Sequence, residues 1–317
     1  MSRRATFAAV AAATAFAVLP WIADNYILRV TTLMLMYCAL ALSWNFIGGF
    51  TGYPSFATAA FFGLGAYVSG VLQTKGVPMM AAWLIAGFVA MAFAAAIGRA
   101  ILHLRGHYFA IGSLVIADVL REIINGWTDL TGGGRGLNLP VLKMDVTAQA
   151  RFFYAAMLAI AAASLITTIL LDRSRLGFGL RCIEQNEDAA LQLGVNTALF
   201  KTAAFALSSV FVAIAGGVYA SWVSYIDPAE AFDILISVKP IVMVLLGGVG
   251  TVLGPVYGAF VFLVFEELVW RNFLNIHLGM LGLIVVILIL FLPRGILGTG
   301  LRSHGRRRTA GPPPGSA

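Results

Sequence analysis

The sequence predicts an all-α polytopic membrane protein of about ten transmembrane helices, and three observations predict it. Of 317 residues, 60% are apolar. Only 11% are Asp, Glu, Lys or Arg, against about a quarter in an ordinary soluble domain. The 34 Gly are spread through apolar runs, as in helices that pack closely in lipid, and the mean hydropathy is +0.90.

A helix needs about 20 apolar residues to cross the hydrocarbon, and fewer where protein shields the backbone. Ten such stretches run in order over 7–22, 29–47, 55–73, 79–98, 107–124, 152–171, 201–222, 236–249, 252–269 and 277–293. The first follows Arg3 and Arg4 and is read as an uncleaved helix, the alternative being a secretory signal segment. The stretch 236–268 reads as one long helix, giving nine spans, or as two, if Gly247, Gly248, Gly250 and Pro255 break it. Basic-residue bias decides for two. With ten spans, thirteen Lys and Arg fall inside and eight fall outside or near the outer boundary, as the positive-inside rule requires. Both termini are then cytoplasmic.

Three regions follow: residues 1–27 as the cytoplasmic end and first span, 28–297 as the transport domain, and 298–317 as a basic, Gly/Pro-rich tail without a packed core. The net charge of +7 includes Arg302, Arg306, Arg307 and Arg308 of that tail, so it reads as a topology anchor and not as a nucleic-acid footprint. Cys38 and Cys182 are too few and too differently placed for a disulfide framework.

Two loops are long enough to hold structure. The outer one, 127–151, carries Thr131, Gly132 and Gly133 in a flexible Gly-rich run that suits a lip over a substrate path. The inner one, 172–201, holds eight ionisable residues and reads helically from Leu180 to Leu193, with Gly194 as a stop. It suits a docking element. Gly/Pro interruptions at Gly48, Gly49 and Pro54, and again at Gly247 to Pro255, each precede a helix rich in small residues. They read as helix breaks near a transport path or as plain turns.

Ionisable groups inside a span cost about 2.5–3.5 kcal/mol at the membrane centre and so point to function. Asp118, Arg121 and Glu122 share one helix face at i, i+3 and i+4, which fits a polar vestibule for a zwitterion or a self-neutralised pair near a helix end. His103 and His107 have metal-pair spacing but lack a third ligand in the sequence around them. No Ser/His/Asp set falls on one side of the membrane, so no enzyme is expected. No phosphate-cradling Gly-x-x-x-x-Gly-Lys-Ser/Thr run occurs either, so an ATP-driven function requires another chain. The runner-up is an ion-coupled secondary transporter of a small polar solute, for which Asp118 is the plausible buried carboxylate.

The run from Arg175 to Asn196, with Asp188, Ala189, Ala190 and Gly194, resembles the coupling segment of ATP-binding-cassette importer permeases of the branched-chain amino acid, LivM-type family. Residues 55–67, Asp129 to Leu137 and Val244 to Pro255 resemble that family's other Gly-rich stretches, so the likeness covers about residues 28–297. It implies the larger-helix-count (type II) importer fold in a bacterial inner membrane and a coupling role for Arg181, Glu184, Glu187, Asp188, Ala189, Ala190 and Gly194. It also implies a second, LivH-like permease, two ATPase subunits that carry ATP and Mg, and a periplasmic binding protein that sets most of the selectivity. Membrane lipid is the remaining partner; no cofactor or metal is expected on the chain itself. Asp118, Arg121 and Thr131 to Gly133 are the expected outer path, with branched-chain amino acids, other small amino acids or amides as cargo.

Overall fold

The computed structural model describes residues 24–272, together with 16, 19–21 and 282. The expected spans 7–22 and 277–293 and the tail 298–317 lie outside the described residues, apart from those few positions. Ten helices carry the architecture: α1 (Asn25–Thr51), α2 (Thr58–Thr74), α3 (Met79–Ile101), α4 (His107–Gly126), α5 (Val146–Arg173), α6 (Arg175–Gln185), α7 (Glu187–Gln192), α8 (Thr197–Val223), α9 (Leu235–Gly247) and α10 (Gly254–Asn272). Among the described residues, α1, α3, α5 and α8 are long and apolar enough to cross a membrane by length and composition. α2 and α9 are short, and α4 carries a charged face; these departures mark the functional regions below.

α8 is the central post, packed against α3, α2 and α1. Its sequence allows this because small residues remove the bulk between backbones. A Cβ on Gly65 of α2 would lie 2.1 Å from the Ala213 carbonyl oxygen, and one on Gly216 of α8 would lie 2.2 Å from that of Phe62. Away from the crossing, Phe61 packs edge-on against Phe205 with ring centroids 5.1 Å apart. Polar groups are paired within the same layer: Gln73 Nε2 donates to Ser221 Oγ at 2.9 Å, and so does Trp83 Nε1.

The two ends of the bundle differ. At one end lie the turn after α3, the α6–α7 segment and the α9–α10 break. At the other, β1 (Leu137–Asn138) pairs antiparallel with β2 (Tyr225–Ile226). There the run Thr131–Gly133 is an ordered corner rather than the flexible lip expected. Thr131 is buried, with Oγ1 2.6 Å from the Ile124 carbonyl oxygen, and Gly132 and Gly133 adopt φ of 78° and 57°. Left-handed backbone is what Gly supplies at little cost, so the glycines build a fixed turn.

The stretch 236–268 is two helices, α9 and α10, folded back on each other, with Gly247 against Gly254 and Gly258 against Met243. Gly248 and Gly250 supply the break, at φ 123° and 70°, and Pro255 is the second residue of α10. The other expected break is displaced. Gly48 and Gly49 lie inside α1, which ends at Gly52 (φ 72°). Their lack of side chains serves close packing instead, since a Cβ on Gly49 would sit 2.8 Å from the Gly250 nitrogen.

The α2–α8 contact is backbone against backbone, so it cannot relax by turning a side chain. Gly65→Ala and Gly216→Ala are each expected to destabilise the fold by about 1–3 kcal/mol. Thermal unfolding in detergent reads this as a drop of several degrees, and an unchanged transition would contradict the packing.

Candidate functional site

Between α1 and α2 the chain does not turn at the surface. From Gly52 it runs without helix back into the bundle, and α2 starts only at Thr58. Depth follows from the helix rise of 1.5 Å per residue. Ser55 lies beside Trp44, about 10 Å before the end of α1, and Phe56 beside Ser113, about 9 Å into α4. Non-helical backbone at such depth must find partners within protein, and it does. The Trp44 Nε1–H donates to the Ser55 carbonyl oxygen at 2.7 Å, and the Phe56 N–H donates to Ser113 Oγ at 2.8 Å. Ser237 Oγ, on α9, donates to the Phe56 carbonyl oxygen at 2.7 Å and accepts from the Ala59 N–H at 2.8 Å. Pro54 needs no donor partner, which suits it to this segment.

The second break is fastened to α1 by a fully buried amide. Asn45 Oδ1 accepts from the Gly250 N–H and its Nδ2 donates to the Thr251 carbonyl oxygen, each at 3.0 Å. The two breaks are thus fastened to adjacent residues of α1, Trp44 and Asn45.

The 172–201 segment sits over them as two helices, α6 and α7, and not the single helix expected from Leu180. Ser174 caps α6 by accepting from the Gly177 N–H at 3.0 Å, and Asn186, in extended backbone, caps α7 by accepting from the Ala189 N–H at 3.0 Å. Asn186 cannot both cap α7 and continue α6, so the helix divides there. Gly194 ends the segment at φ 84° as expected.

Ion pairs hold the segment to the bundle. Lys201 of α8, 3% exposed, donates to Glu187 Oε1 at 2.7 Å, to Tyr53 Oη at 3.0 Å and to the Leu102 carbonyl oxygen at 2.8 Å. The Tyr53 hydroxyl donates to Glu187 Oε2. Arg105, in the turn between α3 and α4, donates to both carboxylate oxygens of Asp188, at 2.9 and 3.3 Å. Arg181 pairs with Asp172, lies 5.3 Å from the centre of the Phe50 ring and reaches the Gly250 carbonyl oxygen at 3.5 Å. Burial pushes the Glu187 carboxyl up, but hydrogen bonds from Lys201 and Tyr53 and the charges of Lys201 and Arg105 outweigh it and hold the group below its ordinary value. Asp188 is held low by its hydrogen bonds with Arg105, whose own value rises in turn.

The structure therefore sorts the expected coupling residues. Glu187 and Ala190 face inward; Glu184, Asp188 and Ala189 are exposed. Beside them stand Phe178, 71% exposed, and Leu193, 80% exposed, an apolar surface next to a charged one. In α4, Asp118 and Glu122 flank Arg121 at 3.7 Å each; the two carboxylates are exposed and Arg121 is half-buried. Asp118 is about 17 Å from the start of a helix about 30 Å long, so the charges begin near its middle. Thr131 and Gly133 pack back on Ile124 and Asn125, beyond them.

Sequence reading missed Trp44, Asn45, Ser113 and Ser237, which carry no pattern of their own among so many small and aromatic residues. Lys201 gave one usable signal, a cation in the first turns of an apolar span.

The family described as the branched-chain amino acid transport system permease component matches residues 26–292. The chain belongs to that family. This permease is 27% identical over 305 residues to the high-affinity branched-chain amino acid transport system permease protein LivM of Escherichia coli K12, covering 88% of the chain and 71% of the relative. It is 26% identical to LivM of Salmonella typhimurium over the same shares. It is also 26% identical over 289 residues to LivH of Escherichia coli K12, another permease protein of the branched-chain system, covering 84% of the chain and 92% of that relative. No solved structure matches the permease.

Because Glu187 and Asp188 are held below ordinary carboxylate values, their contribution is present above those values and is lost as pH falls through the depressed ones. Amide-exchange protection over residues 187–195, corrected for intrinsic rates, is expected to hold near pH 6 and to fall by about pH 3. Protection that is equal at both would contradict the docked arrangement.

Proposed function

We propose that this permease is the membrane-spanning subunit of an ATP-driven importer for branched-chain amino acids or related small amino acids and amides. It works beside a homologous LivH-like permease, two cytoplasmic ABC ATPase subunits and a periplasmic binding protein. The chain crosses the inner membrane ten times with both termini in the cytoplasm. The observation that carries this reading is the α6–α7 segment, which has a free outer face and an inner face bonded to the broken helices beneath it.

The outer face, with Phe178, Leu193, Glu184 and Asp188, is the ATPase dock. Ala189 keeps that face narrow. The inner face transmits. When ATP closes the ATPases, displacement of α7 pulls on Tyr53 through Glu187 and on the α3–α4 turn through Arg105. Displacement of α6 pulls on the α9–α10 break through Arg181. Tyr53 leads directly into the unwound 52–57 segment, whose fixed partners lie on α4 and α9. A shift of a few ångströms at the dock is thereby delivered to the middle of the bundle, where alternating access needs it.

The charged face of α4 supports the placement of the path. Asp118, Arg121 and Glu122 exposed to hydrocarbon would each cost about 2.5–3.5 kcal/mol at the centre, so this face meets water or the second permease. Carboxylates and a guanidinium in one patch also suit a passing zwitterion.

Labelled leucine uptake, lost on gene deletion, competed by valine, abolished by ATP depletion and insensitive to a protonophore at constant ATP, is the expected result. Uptake that follows the protonophore instead of ATP selects the ion-coupled carrier, and competition by urea or acetamide but not valine moves the cargo to an amide. Tyr53→Phe, which removes a hydroxyl bonded to both Glu187 and Lys201, should lower uptake roughly tenfold or more, while leaving ATPase binding intact. Charge reversal at Glu184 or Asp188 should weaken ATPase binding itself. If both survive reversal with full binding and uptake, the dock is wrongly placed.

A further inference from the structure

Where the end of α3 meets the start of α8 there is a cavity of 660 Å³, open to the side of the bundle. Its basic rim comes from Arg99, His103 and Arg105, and its apolar wall from Ala95, Leu199 and Ala206. The floor is tight, since a Cβ on Gly98 would lie 3.2 Å from Phe205 and 3.6 Å from Thr202. The groove is therefore shaped by the close approach of two helices.

Its charges fall into two sets. Lys201 is taken by Glu187, and Arg105 by Asp188 with Glu187 at 3.8 Å. Arg99 and His103 are exposed and have no carboxylate partner among the described residues. Below Arg99, the outward row of α3 runs through Met91, Phe88 and Leu84, of which Phe88 is 65% and Leu84 56% exposed. A basic rim at the end of a spanning helix, above an apolar groove continuous with an exposed apolar helix face, complements an anionic headgroup carrying acyl chains.

We propose that this groove binds an anionic phospholipid of the adjacent leaflet, with its phosphate at Arg99 and His103 and an acyl chain along α3. The site adjoins the Lys201–Glu187 and Arg105–Asp188 pairs, so occupancy braces the helix ends from which the α6–α7 segment is held. Binding to the groove does not require the transport reading to be correct.

The test uses the full chain with whatever subunits co-purify, reconstituted in phosphatidylcholine bilayers with and without phosphatidylglycerol, and measures by mass spectrometry the lipid retained after extraction. Phosphatidylglycerol should be retained in preference to phosphatidylcholine. Arg99→Gln with His103→Gln should cut that preference by about fivefold, the loss of one cation, and Arg99→Lys should keep it, which separates charge from folding. Equal retention by the double Gln variant overturns the proposal. Displacement of the lipid by an equal concentration of glycerol phosphate also overturns it, since the site would then belong to a soluble phosphate.

Discussion

Backbone in a bilayer must be hydrogen-bonded by protein, and an unwound segment placed there draws its partners from every helix around it. Residues 52–57 impose this constraint on the rest of the bundle. Four surrounding groups answer it: the Trp44 indole on α1, the Ser113 hydroxyl on α4, the Ser237 hydroxyl on α9 and the segment's own Ser55, which accepts from Ala57. Each unmade bond there would cost about 1–3 kcal/mol, so α1, α4 and α9 are fixed relative to one another by the segment they satisfy.

The same constraint explains why glycines concentrate where they do. Asn45 can reach across to Gly250 and Thr251 only because Gly49 and Gly250 let α1 and the α9–α10 break come into backbone contact. A side chain on either would force the break outward and strand a buried amide. The α2–α8 crossing at Gly65 and Gly216 then braces α2, whose first turn is tied to Ser237. Small residues here give close approach for hydrogen bonding, beyond their usual service to helix packing.

How much of this could be read beforehand divides along the range of the interactions. Hydropathy located the helices within the described residues to within a few residues, except that α5 begins at Val146, six residues before the expected edge. The Gly/Pro signal located the second break, since positive φ at Gly248 and Gly250 is a local matter. It marked the first only in part: Pro54 lies in the unwound segment, but Gly48 and Gly49 lie inside α1, where Gly49 serves a contact with Gly250 some 200 positions away that no local pattern encodes. The 172–201 segment was legible as a charged, helical loop ending at Gly194. Its division at Asn186 was not, because an Asn that caps a helix and one that merely sits in it look alike without the backbone angle. The inward set of Glu187 depends on Lys201, Tyr53 and Arg105, which come from three separate elements.

The charged face of α4 completes the argument about assembly. Ile111, Val115, Val119 and Ile123 are exposed along it together with Asp118 and Glu122. Neither environment alone suits that mixture. Lipid accepts the aliphatic row and penalises the carboxylates, whereas open water does the reverse. A second permease satisfies both, packing on the aliphatic row and leaving the carboxylates and Arg121 to a shared aqueous path. Likeness to both LivM and LivH fits such a pairing, because two chains of one fold can present corresponding faces to each other. Among the described residues, the buried Asn45, Ser113 and Ser237 are engaged in holding the broken helices, while the charged groups of α4 stand at the edge of the bundle.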